Sequence, residues 1–210
     1  TVMLLVDVSG SRNFGTLSQM KRDMMAEVAA TLAFSTVANN DKVGVVFFSN
    51  KIEKYIPAQK GKTHVLHIIR ELLSFEPTSK GTDMAQALQY FANAQKRHCT
   101  AFLISDFIGT GAVDKPLLIA SNRHEVNAIQ IYDRREAELP NIGLVKFHDA
   151  ESNSNLWIDT SLATIRNNYA QAWKQNQDSL EQLFTRTGVK HVSVRTDEDY
   201  VKALMHLFRC

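Results

Sequence analysis

The sequence predicts an α/β fold: a doubly wound, mostly parallel sheet with one antiparallel edge strand, helices on both faces and a small β-hairpin insertion. Three observations carry this. The apolar runs VMLLV (2–6), VGVVFF (43–48) and AFLIS (101–105) are continuous rather than alternating, the mark of strands buried on both faces. Between them lie segments whose apolar residues recur at helical spacing. Strand and helix alternate almost throughout, an order that requires crossover connections, right-handed by the usual chirality.

Each element has its own signal. The first strand ends on Asp7. Leu17 to Ala38 reads as a long helix on the spacing of Met20, Met24, Val28, Leu32 and Ser35, closed by Asn39-Asn40-Asp41. Lys51–Ile56 alternates polar and apolar residues after a Ser49-Asn50 step, so it reads as the second arm of a hairpin, an edge strand guarded by lysines. Val65 to Phe75 is an amphipathic helix stopped by Glu76-Pro77, and the polar loop TSKGTD leads into a helix over Asp83–Lys96. Further on come a helix over Lys115–Arg123, a strand over Asn127–Tyr132, and a hairpin of Gly143–His148 with Asn155–Ile158 around Glu151-Ser152-Asn153. A long helix then runs from Ser161 to Arg186 and is broken by Gly188. The strand HVSVR follows, and Thr196-Asp197-Glu198-Asp199 resembles a capping box for a last helix. Trp173, Leu180, Leu183 and Phe184 are expected in the core, as are Met20, Met24 and Met25.

A chain of 210 residues, 44% apolar and 22% charged, suits one domain spanning 1–210 with a substantial interior. Lys+Arg 24 against Asp+Glu 22 leaves a net charge of +2, which offers no electrostatic case for a nucleic-acid or anionic-membrane binder. No stretch approaches the ~20 apolar residues of a membrane span. Cys99 and Cys210 do not suggest a disulfide framework, and the expected location is cytoplasmic. Thr1 already lies inside a strand pattern, so the chain reads as a segment of a longer one.

In doubly wound sheets ligands bind beyond the carboxyl ends of the strands, where strand order reverses. Two strands here run into aspartates, Asp7 and Asp106. If those strands are neighbours, two like charges converge, and one carboxyl is driven to protonate unless a cation lies between them. The other polar groups nearby in the pattern are hydroxyls: Ser9, Ser11 and, at the start of a helix, Thr82. Hard oxygen ligands with few charges suit Mg²⁺ or Mn²⁺. A lone D-x-S-x-S also serves caps and turns; the addition of Thr82 and Asp106, each after its own element, singles it out. Asp83 is accounted for by the helix macrodipole rather than by metal.

These residues carry a resemblance. Asp7-Val8-Ser9-Gly10-Ser11 is similar to the D-x-S-x-S element of the von Willebrand factor type A (vWA) fold, a Rossmann-like sheet. Gly81-Thr82-Asp83 with Ala87-Leu88 resembles that fold's G-T-x-x-x-x-A-L loop, and Ser105-Asp106-Phe107 its T/S-D element. The resemblance implies a metal-ion-dependent adhesion site with direct or water-mediated contact through Asp7, Ser9, Ser11, Thr82 and Asp106, a partner's Asp or Glu completing the ligand set. Phe14-Gly15, DKVGVVFFS, GKTHVL, ISDF and YDRRE-x-x-LP-x-x-G narrow it to a vWA-like bacterial branch, domain-of-unknown-function family fifty-eight, whose genes commonly lie beside those of MoxR-type AAA+ ATPases. An adaptor working with such an ATPase in complex assembly or remodelling is what this implies. Glu151-Ser152-Asn153 stands where the branch often has E-T-G.

The same residues offer little for catalysis. An aspartyl phosphatase wants a second acid where Ser9 stands, and GKTHV lacks the spacing of a phosphate-binding Walker loop. His64 and His67 lie i, i+3 on a helix with nothing to place them at the strand ends, and His98, His124, His148, His191 and His206 are scattered. The expectation is a non-enzymatic interaction module; the alternative is a metal-dependent hydrolase of phosphoester-like substrates.

Overall fold

The computed structural model describes residues 1–9, 15–16, 19–79, 81–109, 111–148 and 155–209. In chain order the elements are β1 (Val2–Asp7), β2 (Gly15–Thr16), β3 (Gln19–Met20), α1 (Lys21–Ala38), β4 (Val43–Phe48), β5 (Ile52–Gln59), α2 (Lys62–Ser74), α3 (Met84–Ala94) and β6 (Thr100–Ser105). They continue with α4 (Asp114–Arg123), β7 (Glu125–Tyr132), α5 (Arg134–Ala137), β8 (Leu144–His148), β9 (Asn155–Asp159), α6 (Ala163–Thr187), β10 (Lys190–Arg195) and α7 (Tyr200–Arg209).

Six strands form the main sheet in the order β10-β7-β6-β1-β4-β5, parallel except for the β4–β5 pair. From β1 the chain builds outward through β4 and β5, then returns to the other side of β1 to add β6, β7 and β10. Strand order therefore reverses between β1 and β6, and the crevice expected of a doubly wound sheet opens there.

The continuous apolar strands are explained by two cores, one on each face. Leu4, Val6, Val45 and Phe47 point to one side, where α1, α2 and α7 contribute Val28, Ile68 and Leu204. Met3, Leu5, Val46 and Phe48 point to the other, against Leu88 of α3, Leu117 of α4 and Phe184 of α6. Period-two alternation thus feeds both faces with apolar side chains. Leu180 and Leu183 are buried as expected, while Trp173 is half-buried and packs on Tyr132.

The β4–β5 hairpin carries a register shift between Val43 and Val45. Gly44 sits inside it, where a Cβ would come within 2.8 Å of the Ala58 nitrogen and the Ile56 carbonyl oxygen. Only glycine fits that backbone approach. Gly188 ends α6, as its place in the sequence suggests, and does so at φ 66°, a left-handed cap.

Three features differ from expectation. Helix α1 begins at Lys21 rather than Leu17, because Gln19–Met20 is extended and pairs with Gly15–Thr16. Met20 is consequently exposed, whereas Met24 and Met25 are buried. The Thr196–Asp199 segment does not close a capping box on α7: the Thr196 hydroxyl donates instead to Asp133 Oδ2 at 3.0 Å. The capping box lies at α5, between Asp133 and Glu136. The Glu151-Ser152-Asn153 tip is outside the described residues.

Candidate metal centre

β1 delivers Asp7 at its last position, and Asp106 follows directly on β6, its neighbour in the sheet. The two strands run in register to Val6 and Ile104, so both carboxylates emerge at the same end of the crevice. Both residues are buried.

Asp7 is held on both carboxylate oxygens. Its Oδ1 accepts the Ser9 backbone N–H at 2.9 Å, and its Oδ2 accepts the Ser105 hydroxyl at 2.7 Å. The Ser9 side chain also hydrogen-bonds to it. Burial, reinforced by the charge of Asp106, pushes the Asp7 carboxyl up to about 6, although the Ser9 and Ser105 bonds pull the other way. The pair is thus electrostatically strained in the sense read from the sequence.

The turn after β6 is built to present Asp106. Its Oδ1 accepts from the Ile108 N–H at 3.0 Å, and the Phe107 N–H donates to Ser105 Oγ at 3.1 Å. Phe107 adopts φ 57°, a left-handed conformation unfavourable for a bulky residue. Its buried ring, packed edge-on against Phe184 at 5.3 Å, holds it there. Gln130 of β7 donates to the Asp106 carbonyl at 3.3 Å and accepts from Ser193 at 2.8 Å, bracing the turn from the neighbouring strands.

Thr82 is half-buried and lies two residues before Met84, the first residue of α3. The next residue, Asp83, is the N-cap of that helix: its Oδ1 accepts the Gln86 N–H at 2.9 Å, and its own N–H donates to the Ser49 carbonyl at 2.8 Å. Ser49 follows β4, the other neighbour of β1, so Thr82 is brought to the same end of the sheet as Asp7. Glu53 of β5 braces this loop, accepting from the Ser49 hydroxyl, the Thr78 hydroxyl and the Ser79 N–H at 2.7, 2.7 and 3.1 Å. Burial pushes the Glu53 carboxyl up, but these donors outweigh it and leave it below its ordinary value. Ser9 is fully buried beside Asp7, and Ser11 lies outside the described residues.

Two charged residues at this site were not anticipated. Lys21, the first residue of α1, is completely buried, and its ammonium lies 2.7 Å from Asp106 Oδ2 and 2.5 Å from Glu136 Oε1. Burial alone would push the Lys21 ammonium down; the two carboxylates outweigh it and raise it above its ordinary value. Glu136 is pushed up by burial, against the pull of Lys21. A sequence signal for Lys21 exists: it stands three and four residues before Met24 and Met25, on the core stripe of α1.

The histidines of α2 lie elsewhere. His64 Nε2 is 2.9 Å from the carbonyl oxygen of Val43, at the opposite end of the sheet, and His67 sits beside Glu71. Cys99 is buried against His124 at 3.6 Å, and burial raises its thiol to about 11, so it is a packing residue rather than a nucleophile. Among the described residues no three His, Cys, Asp or Glu side chains form a metal-holding group. An ion in this crevice would therefore depend on hydroxyl and water oxygens beside the two aspartates. Donors that are all oxygen, with little charge, fit a hard divalent cation of the Mg²⁺ or Mn²⁺ type.

Residues 1–179 match the family model described as "Protein of unknown function DUF58". The chain belongs to the DUF58 family. An uncharacterized protein of Mycobacterium bovis is 31% identical over 202 residues, covering 94% of this chain and 63% of the relative, so this DUF58 chain spans under two thirds of that protein's length. Among solved structures, an aerotolerance-related membrane protein from Bacteroides fragilis superposes with a TM-score of 0.66 at 15% identity, over 100% of this chain and 98% of that one. The SpRpn10 VWA domain superposes with a TM-score of 0.50 at 12% identity, over 99% and 92% of the two chains. At such identities the likeness is one of fold, and the DUF58 chain has a vWA-like fold. No helix among its described residues is long and apolar enough to cross a membrane.

Proposed function

We propose that this DUF58 chain is a metal-dependent protein-interaction module whose site is the crevice between β1 and β6. Asp7, Ser9, Ser11, Thr82 and Asp106 would hold Mg²⁺ or Mn²⁺, directly or through water, and a partner's Asp or Glu would complete the ligand set. The observation that carries this reading is the burial of two like-charged carboxylates on adjacent strand ends at the point where strand order reverses. Like charges so placed favour a bound cation.

A bound hard cation supplies Lewis acidity toward an incoming carboxylate, because only two carboxylates offset its charge. The chain's own residues do the rest: Ser105 and Ser9 orient Asp7, the Phe107 turn aims Asp106, and Glu53 with Ser49 frames the Thr82 loop. His64, bonded to Val43 at the opposite end of the sheet, is not placed to act as a general base in the crevice, which favours interaction over hydrolysis. The family resemblance supports a MoxR-type AAA+ ATPase as the partner served by the module.

The test is calorimetric titration of Mg²⁺ and Mn²⁺ into the metal-stripped chain, with Asp7→Ala and Thr82→Ala alongside. Saturable uptake lost in both variants is expected, together with partner capture that chelator reverses. Uptake unchanged in both variants would overturn the site, and metal-dependent turnover of a generic phosphoester, abolished by Asp7→Asn, would favour the hydrolase instead.

A further inference from the structure

Lys21 is placed where a lysine is least expected. It is the first residue of α1, at the positive end of the helix macrodipole, and it has 0% exposure. A desolvated ammonium in that position is tolerable only if carboxylates surround it. Asp106 and Glu136 do so, at 2.7 and 2.5 Å. One of these is the candidate metal ligand on β6. The other comes from the capping box of α5, where its second carboxylate oxygen accepts the Asp133 N–H at 2.9 Å.

The arrangement has a charge logic. Asp7, Asp106 and Glu136 against Lys21 give the crevice a formal charge of −2. Without Glu136 the lysine would neutralise Asp106 outright, leaving −1 to attract an ion. Without Lys21 the three carboxylates would stand at −3. Asp106 also keeps a lone pair free on each oxygen while bonded to Ile108 N–H and Lys21, since each carboxylate oxygen accepts twice. The lysine therefore modulates Asp106 without using it up.

We propose that Lys21 is a tethered cation of the crevice, balanced by Glu136, and that this pair sets how strongly Asp7 and Asp106 draw a divalent ion. The inference rests on the metal reading above. It makes Lys21 and Glu136 positioning residues, neither touching the ion, whose charges tune its affinity in opposite directions.

The test is Mn²⁺ binding followed by calorimetry and by electron paramagnetic resonance of the free ion, on the wild type, Glu136→Gln, Lys21→Met and the double variant Lys21→Met/Glu136→Gln. Thermal melts accompany each, because Lys21→Met leaves two buried carboxylates without their counter-ion; the double variant restores the formal −2 and serves if the single one does not fold. Glu136→Gln is expected to weaken Mn²⁺ binding by about tenfold or more, Lys21→Met to tighten it, and the double variant to fall within about threefold of wild type. Wild-type binding with Glu136→Gln unchanged, or a folded Lys21→Met that binds more weakly, would overturn the inference and leave the metal reading standing. Binding by Lys21→Met but not by wild type would overturn the metal reading and support the lysine as the resident cation. Absence of binding in all four would overturn both.

Discussion

The Ser105 hydroxyl donates to Asp7 Oδ2 at 2.7 Å across the β1–β6 pair, joining residues 98 positions apart. Ser105 Oγ itself accepts from the Phe107 N–H, so one hydroxyl serves both aspartate-bearing strand ends. Ser105→Ala removes the bond that lowers the Asp7 carboxyl and orphans a buried amide. Destabilisation of about 1–3 kcal/mol is expected in chemical denaturation, with the Asp7 carboxyl titrating above about 6 by NMR.

Asp7 also sets a pH signature for the metal-free chain. Its carboxyl is raised from 3.8 to about 6 on folding, so the folded chain binds that proton more tightly than the unfolded one. Stability from this group is therefore greatest below about pH 4, falls as pH rises toward 6, and is flat above. Asp7→Asn lacks the effect. Between pH 4 and 7 the stability difference should shift in the variant's favour by on the order of 2–3 kcal/mol, measured by urea denaturation at each pH.

Phe107 couples strain to packing. Phe107→Ala is expected to cost about 3–5 kcal/mol for the emptied space beside Phe184. Phe107→Gly removes one atom more, yet should cost about 1 kcal/mol less than alanine, because glycine accepts φ 57° without penalty. Equal losses in guanidinium melts would show that the turn relaxes in the alanine variant.

Glu53 lies on the edge strand but works on the Thr82 loop through Thr78, Ser79 and Ser49. Glu53→Gln should lower global stability by only about 1 kcal/mol while speeding amide exchange at Thr78, Ser79 and residues 81–83. Hydrogen exchange read by mass spectrometry distinguishes this local loosening from general destabilisation.

The sheet was legible because its strands are apolar on both faces, and the alternating order left little choice of topology. The meeting of Asp7 and Asp106 at one end of neighbouring strands was legible too, since each directly ends a continuous apolar run. Lys21 is not legible as a core residue because lysine reads as surface, and because the pattern of Leu17 and Met20 extends the helix past its true start. Met20 is extended and exposed, and the core stripe begins with the lysine instead. The neighbours of Thr196 suit a capping box, but the box forms at Asp133 and Glu136. Thr196 and Asp133 bond to each other, a pairing of sequence-distant residues that no local pattern encodes, and Glu136 is aimed at Lys21 from that same turn. Short elements such as the four-residue α5 leave no periodicity to read.

The reversal of strand order between β1 and β6 has a consequence for how the protein comes into being. Asp7 is synthesised 98 residues ahead of Ser105, so its carboxylate has neither Ser105 nor Asp106 beside it until β6 has been made and has crossed back over the sheet. At about 5–20 residues per second, that is a wait of several seconds. A growing chain that has made only β1, β4 and β5 has a sheet edge but no crevice. Under the proposed function, a partner that docks at the finished crevice would engage only chains in which the two halves of the sheet have met.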